Sequence, residues 1–237
     1  MSINDWPSTF TSRGRGVPAA IAVVLALTLG TAEAAPVFFT DSAAFQAAAP
    51  TPVFVQNFDS VPAGTLIPEG APFQGIAVST NLAGPGLVVS NRFRTTSDSN
   101  YLGVDGRADN EFLSGDELTF SMSPVFAFGL FVISSPGDVL ANDFQLVTAG
   151  GTVFNAATPE RTLADGREAF FLGVVNSHAF TNSQVISFGD PDDPFFSYHI
   201  DDITASPVPE PSTTALIGLG LLALGLRSLR RFRGASS

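Results

Sequence analysis

Cysteine and lysine are absent from the 237 residues, and tryptophan occurs once, at position 6. Without cysteine there is no disulfide framework and no thiolate to act as nucleophile or metal ligand, so the fold must be held by its core, with or without a metal bound through other donors. Histidine is nearly missing too: His178 and His199 are the two present, and no G-x-S-x-G or H-E-x-x-H pattern accompanies them. Each reads as a strand residue rather than a base. A glycosidase needs only two carboxylates, yet nothing in the spacing selects a pair, so the chain reads as non-catalytic. Basic residues are scarce where a folded domain would lie, since between Ala35 and Pro209 five arginines face 19 Asp and Glu, a formal charge of −14. Such a surface repels nucleic acid and anionic membranes, which argues against a DNA or RNA role and makes divalent cations the more natural partners.

Apolar material is plentiful, with 22 phenylalanines and 45% hydrophobic residues, which rules out a disordered chain. The length suits one domain plus end segments. At the N-terminus, MSINDWPSTFTSRGRG carries Arg13 and Arg15, VPAAIAVVLALTLG is an apolar run, and Ala32-Glu33-Ala34 is a small-x-small triplet. That order predicts a secretory signal peptide over residues 1–34, handled by the Sec machinery and signal peptidase and cut near Ala34. At the other end, Thr213 to Leu226 is a mostly apolar helix of roughly 21 Å, against a hydrocarbon core of about 30 Å. Leu229 and snorkelling arginine stems extend it, giving a predicted transmembrane helix over 213–229. Arg227, Arg230, Arg231 and Arg233 then hold the 227–233 tail on the cytoplasmic side, with the domain outside.

Just before that helix stands Val208-Pro209-Glu210-Pro211-Ser212. Two prolines flanking one residue keep the backbone extended and remove donors, which suits a peptide entering another protein's cleft. The tripeptide, short Gly/Leu helix and arginine-rich end over 208–234 resemble the PEP-CTERM sorting signal of Gram-negative bacteria, also labelled an ice-binding protein C-terminal domain. The flat threonine arrays that ice binding calls for are not seen. The resemblance implies that exosortase, a membrane cysteine transpeptidase, recognises Pro209, Glu210 and Pro211 as substrate residues and delivers the protein to the cell surface or exopolysaccharide matrix.

The middle, 35–207, reads as about eleven short strands separated by Gly, Pro, Asn and Asp, with one helix, DSAAFQAAA, capped by Asp41 or Thr40. This pattern predicts an all-β antiparallel sandwich. ELTFSMS alternates apolar and hydroxyl residues, FAFGLFVIS is apolar on both faces, and Gly150-Gly151 signals a hairpin.

Asn57-Phe58-Asp59 with Pro62-Ala63-Gly64, Phe171-Leu172-Gly173, and Ile200-Asp201-Asp202-Ile203 resemble short motifs of jelly-roll carbohydrate-binding modules. That resemblance implies a structural calcium ion held by Asp59 and one of Asp201 and Asp202, with backbone carbonyls completing the shell. The alternative is surface acids at a strand end. Period-two geometry puts Asp202 on the side of Tyr198 and Ile200. The acid-rich stretches 105–111 and 190–193 read as solvated loops, and Tyr101 is the candidate sugar contact, with an ordinary strand tyrosine the favoured reading. Three functions follow: a non-catalytic structural or adhesive domain, a calcium-dependent glycan-binding module, and an extracellular hydrolase.

Overall fold

The computed structural model describes residues 35–51, 53–84, 86–188 and 195–208. The expected signal peptide, the Pro209-Glu210-Pro211 tripeptide, the apolar helix, the terminal arginines and the acidic stretch 190–193 lie outside the described residues. No helix among the described residues is long and apolar enough to cross a membrane.

The described chain is all-β apart from one helix. In order it forms β1 (Val37–Phe39), α1 (Ser42–Ala48), β2 (Phe54–Gln56), β3 (Leu66–Ile67), β4 (Pro72–Phe73), β5 (Ile76–Thr80), β6 (Leu87–Ser90) and β7 (Tyr101–Val104). There follow β8 (Phe112–Leu113), β9 (Glu117–Ser134), β10 (Phe144–Thr148), β11 (Gly151–Phe154), β12 (Arg161–Thr162), β13 (Glu168–Ser187) and β14 (Ser197–Pro207). The strands form a single antiparallel hydrogen-bonded sheet whose main path is β11-β10-β13-β9-β14-β7-β6-β3. The expected hairpin is present, with Thr148 paired to Gly151 across a two-residue turn.

DELTFSMS and FAFGLFVIS read as two strands in sequence, and FFLGVVNS and QVISFG as two more. In the structure each pair is one long strand, β9 and β13, because the polar stretches between the apolar runs stay extended and serve as bends. The bend is sharp. Phe120 and Phe128 lie eight residues apart in β9, about 26 Å in a straight strand, yet their ring centroids are 5.3 Å apart. The two strands therefore pass from one leaf into a second that faces it. The first leaf pairs β5 with the early part of β9, and β10 with the late part of β13. The second pairs the late part of β9 with the early part of β13 and with β14. Between them lies the main core, where Phe144 of β10 meets Tyr198 of β14 at 5.0 Å although β13 and β9 separate their strands in the sheet.

The outer face of the second leaf is also apolar, as the unbroken FAFGLFVIS run predicts, and α1 covers part of it. Asp41 caps the helix, its Oδ1 accepting the Ala44 N–H at 2.7 Å. Phe45, fully buried, lies 5.2 Å from Phe171, which in turn packs on Phe131. Burying a ring of this size stabilises by about 1.5–3 kcal/mol.

The Phe-x-Gly motif acquires a physical reason here. Gly173 pairs with Gly129 across β13 and β9. A Cβ on Gly173 would fall 2.6 Å from the Phe171 ring and 2.8 Å from that of Phe45. The paired glycines make the trough in which the rings lie. Gly173→Ala should cost about 1–3 kcal/mol by overpacking, lowering Tm by several degrees. Gly86→Ala should leave it unchanged, since a Cβ there meets nothing within 4 Å. Thermal melts of both variants check this.

Candidate functional site

Strand β14 divides its side chains between two environments. Tyr198 and Ile200 point into the main core. His199 and Asp201, the cross-strand partners of Ile133 and Phe131, share the outer face of the second leaf with them. The segment from Asn91 to Asn100 lies across this part of β14.

Under it is a buried charged cluster. Glu111 receives Arg167 Nη1 at 2.7 Å and Nη2 at 3.3 Å, Ser197 Oγ at 2.7 Å, and stands 3.0 Å from His199 Nδ1. The Arg167 guanidinium carbon is 3.6 Å from the centroid of the Phe93 ring, and His199 stacks on Tyr101 at 4.0 Å. Burial would raise the Glu111 carboxyl, but the hydrogen bonds from His199 and Ser197 and the charge of Arg167 hold it below its ordinary value. Burial pushes His199 below the ordinary histidine range against the pull of Glu111. A buried pair of this kind adds little net stability, whereas removing one partner costs about 3–5 kcal/mol. Glu111 also touches a cavity of about 310 Å³ with Arg107, Asp109, Leu113 and Ser197. Ser197 donates to Glu111 rather than to the imidazole, so His199 is not placed to activate it as a nucleophile.

One expectation changes at this point, and one alternative is decided. The 105–111 stretch is not wholly a solvated loop, because Glu111 is 4% exposed and ion-paired. Tyr101 is fully buried, with its hydroxyl donating to the Asp109 carbonyl at 3.0 Å, so it presents no platform to a sugar. Burial raises its hydroxyl to about 12.

Beside this cluster lie the three acids singled out in sequence. Asp201 Oδ2 accepts Thr96 Oγ1 at 2.9 Å and both the N–H and Oγ of Ser97 at 3.0 Å. Asp59 Oδ1 accepts the N–H groups of Ser99 and Asn100 at 3.2 Å. One short loop is thus tied at its start by Asp201 and at its end by Asp59. Asp202 adopts φ +48, a left-handed conformation, and forms a bulge: Asp201 pairs with Phe131 but the next paired residue, Thr204, faces Gly129. The bulge resets the alternation. Ile203 turns to the main core where strict alternation would put Asp202, and Asp202 is left half-buried beside its neighbours. Asp201, not Asp202, is the fully buried carboxylate, and it lies on the side opposite Ile200.

The electrostatics of this seam are unfavourable as they stand. Burial and then the charge of Asp202 push Asp201 up to about 7. Asp202 is raised by burial, with Asp59 adding to the effect and Arg161 opposing it. Asp201 Oδ1 is buried without a hydrogen-bond partner, an arrangement that costs about 1–3 kcal/mol. The donors are all oxygen, which fits calcium chemistry. Among the described residues, however, no three His, Asp or Glu side chains stand close enough to hold a metal between them. The structure brings Asp59, Asp201 and Asp202 to one loop without closing a carboxylate cage.

Residues 207–231 match the PEP-CTERM protein-sorting motif, the motif of exosortase substrates. The chain therefore carries an export and processing signal at the place where sequence alone puts it, beginning on the last residue of β14. No curated protein is significantly similar to the chain.

The raised Asp201 carboxyl sets a pH dependence. It binds its proton more tightly folded than unfolded, so its favourable contribution is present below about pH 4 and is lost as pH rises through about 7. Contributions from Glu111 and His199, which fail in acid, cancel when variant and parent are compared. Asp201→Asn should match the parent at pH 4 and melt a few degrees higher at pH 8 in EGTA. Parallel melting curves across that range would contradict the assignment.

Proposed function

With the sorting motif as the premise, we propose that this is an exported protein of a Gram-negative cell surface or exopolysaccharide matrix whose β-sandwich has a non-catalytic, structural or adhesive role. The Sec machinery and signal peptidase remove residues 1–34, the 213–229 helix and its arginines hold the precursor in the membrane, and exosortase acts at Pro209-Glu210-Pro211. The observation that carries this reading is the motif match together with its position. Strand β14 is completed at Pro207, so the folded unit loses no strand when the chain is cut after it. Converting Pro209, Glu210 and Pro211 to alanine should leave the domain protease-resistant and abolish processing in the native host. Unchanged processing, read by the size of the surface protein on a gel, refutes the substrate assignment.

A second reading, a calcium-dependent glycan-binding module of jelly-roll type, is favoured by the unpartnered Oδ1 of Asp201. Asp201 and Asp202, with Asp59 and carbonyl oxygens of the loop it ties, would hold the ion, which supplies positive charge where three carboxylates gather. Calcium should then raise Tm and EGTA lower it, as for any ligand that binds only the folded state. With calcium, the parent should melt above Asp201→Asn, reversing their order in EGTA. A Tm insensitive to both additions removes calcium from the protein. A glycan array with and without the ion separates the functions: specific binding favours the module, turnover of a bound glycan a hydrolase, and silence the structural role.

A further inference from the structure

Where the domain ends, a groove of about 250 Å³ opens on its surface, lined among others by Phe54, Gln74, Met122, Val125, Ala205 and Pro207. Its walls come from the β4–β5 hairpin, β9, β14 and β2. Gln74 and Gly75 form the two-residue turn between β4 and β5, with φ values of +49 and +89, a tight and rigid hairpin tip. Met122 and Val125 flank the bend of β9. Ala205 and Pro207 are the end of β14, and Phe54 pairs with Ala205 from β2. Phe54 is 37% exposed and Met122 only half-buried, so apolar surface faces outward here.

The last turn of the path is what gives the groove a partner. Pro207 pairs with Val125 where β2 no longer reaches, so its missing N–H costs no ladder bond. The Val208 N–H still donates to the Pro124 carbonyl at 3.0 Å. Pro209 is the next residue. No linker separates the folded domain from the tripeptide, and Pro207 belongs both to the groove and to the matched motif. From Val208 to Thr213, where the apolar helix is expected to begin, five residues span at most about 18 Å. An enzyme working at the membrane on this tripeptide has to approach against the end of the sandwich that carries the groove.

We propose that the groove is a docking site for the extracytoplasmic face of exosortase, which seats an apolar side chain between Phe54, Met122 and Pro207 while it holds the tripeptide. The proposal rests on the exosortase-substrate reading. It makes recognition bipartite: a short peptide, and a folded surface whose last hydrogen bond, at Val208, lies one residue before it. Two contacts joined by a short stretch of chain bind more tightly than either alone because the second is presented at high effective concentration.

The test uses the full chain in its native host, with the ratio of processed to full-length protein followed after a pulse of synthesis. Ten Gly and Ser residues inserted between Val208 and Pro209 leave every groove residue and the tripeptide-to-helix spacing intact but break the register. The insertion should slow processing by about fivefold or more, the scale of losing one well-buried apolar contact. Phe54→Glu and Met122→Glu, checked for folding by protease resistance, should slow it similarly. Wild-type rates in the insertion and both groove variants, with the tripeptide replacement still blocked, overturn the groove and leave the sorting reading standing. Normal processing of the tripeptide replacement instead means that the sorting reading has failed. Normal cutting with weaker retention of the full-length groove variants in the membrane fraction assigns the groove to the lipid surface and also overturns the proposal.

Discussion

The fold depends on a bend. Strands β9 and β13 run side by side through both leaves, and the turn they make together converts one hydrogen-bonded sheet into two facing layers. Pro124 sits where β9 bends, and the exposed Ser177-His178-Ala179 stretch where β13 does. Both are polar or conformationally restricted interruptions in runs that are otherwise apolar. Once the strands bend, Phe120 closes on Phe128 and the main core has two walls. The second leaf is then apolar on its outer side as well, and that surface must be covered by chain outside the sheet. Helix α1 covers β9 and β13 there, and the 91–100 segment covers β14.

That second covering explains why the charged residues are where they are. A loop laid on a sheet brings its own backbone donors, and Asp201 and Asp59 accept several of them. Two buried carboxylates on one outer face meet opposite fates. Glu111 has a bidentate arginine, a serine and a histidine, and its ionised form is the favoured one. Asp201 has hydrogen bonds on one oxygen, none on the other, and a second carboxylate beside it, so its protonated form gains. The difference arises from partners, since both groups are nearly inaccessible to water. At the seam around Asp201, added positive charge would relieve an existing cost.

Much of the fold was legible because period-two patterns are robust. The helix with its Asp41 cap, the hairpin at Gly150-Gly151, and the two-faced burial of FAFGLFVIS all follow from local chemistry. What escaped was non-local. Whether two apolar runs are two strands or one bent strand depends on which neighbours they share, and β9 and β13 acquire theirs from opposite ends of the chain. The bulge at Asp202 was hidden for a related reason: alternation predicts a face only while the register is unbroken, and Asp-Asp in a strand was the local hint that it breaks. Alternation puts Asp202 on the core side of β14, whereas the structure buries Asp201 and leaves Asp202 half-buried. Glu111 reads as part of a solvated loop because its partners, Arg167 and His199, are 56 and 88 positions away. The sorting motif is the easiest to see, since its signal lies in consecutive residues.

Delivery and architecture meet at Pro207, which closes the sheet and opens the motif. A domain whose last strand ends two residues before Pro209 can be cut at the tripeptide without disturbing a strand. The direct measurement is the intact mass and terminal sequence of the protein recovered from the surface or matrix of its native host. Expected is a chain that begins near Ala35 and ends within the Pro209-Glu210-Pro211 region, lacking the apolar helix and the arginine tail. Recovery of the whole 237-residue chain, with both ends intact and confined to the cell interior, would contradict it.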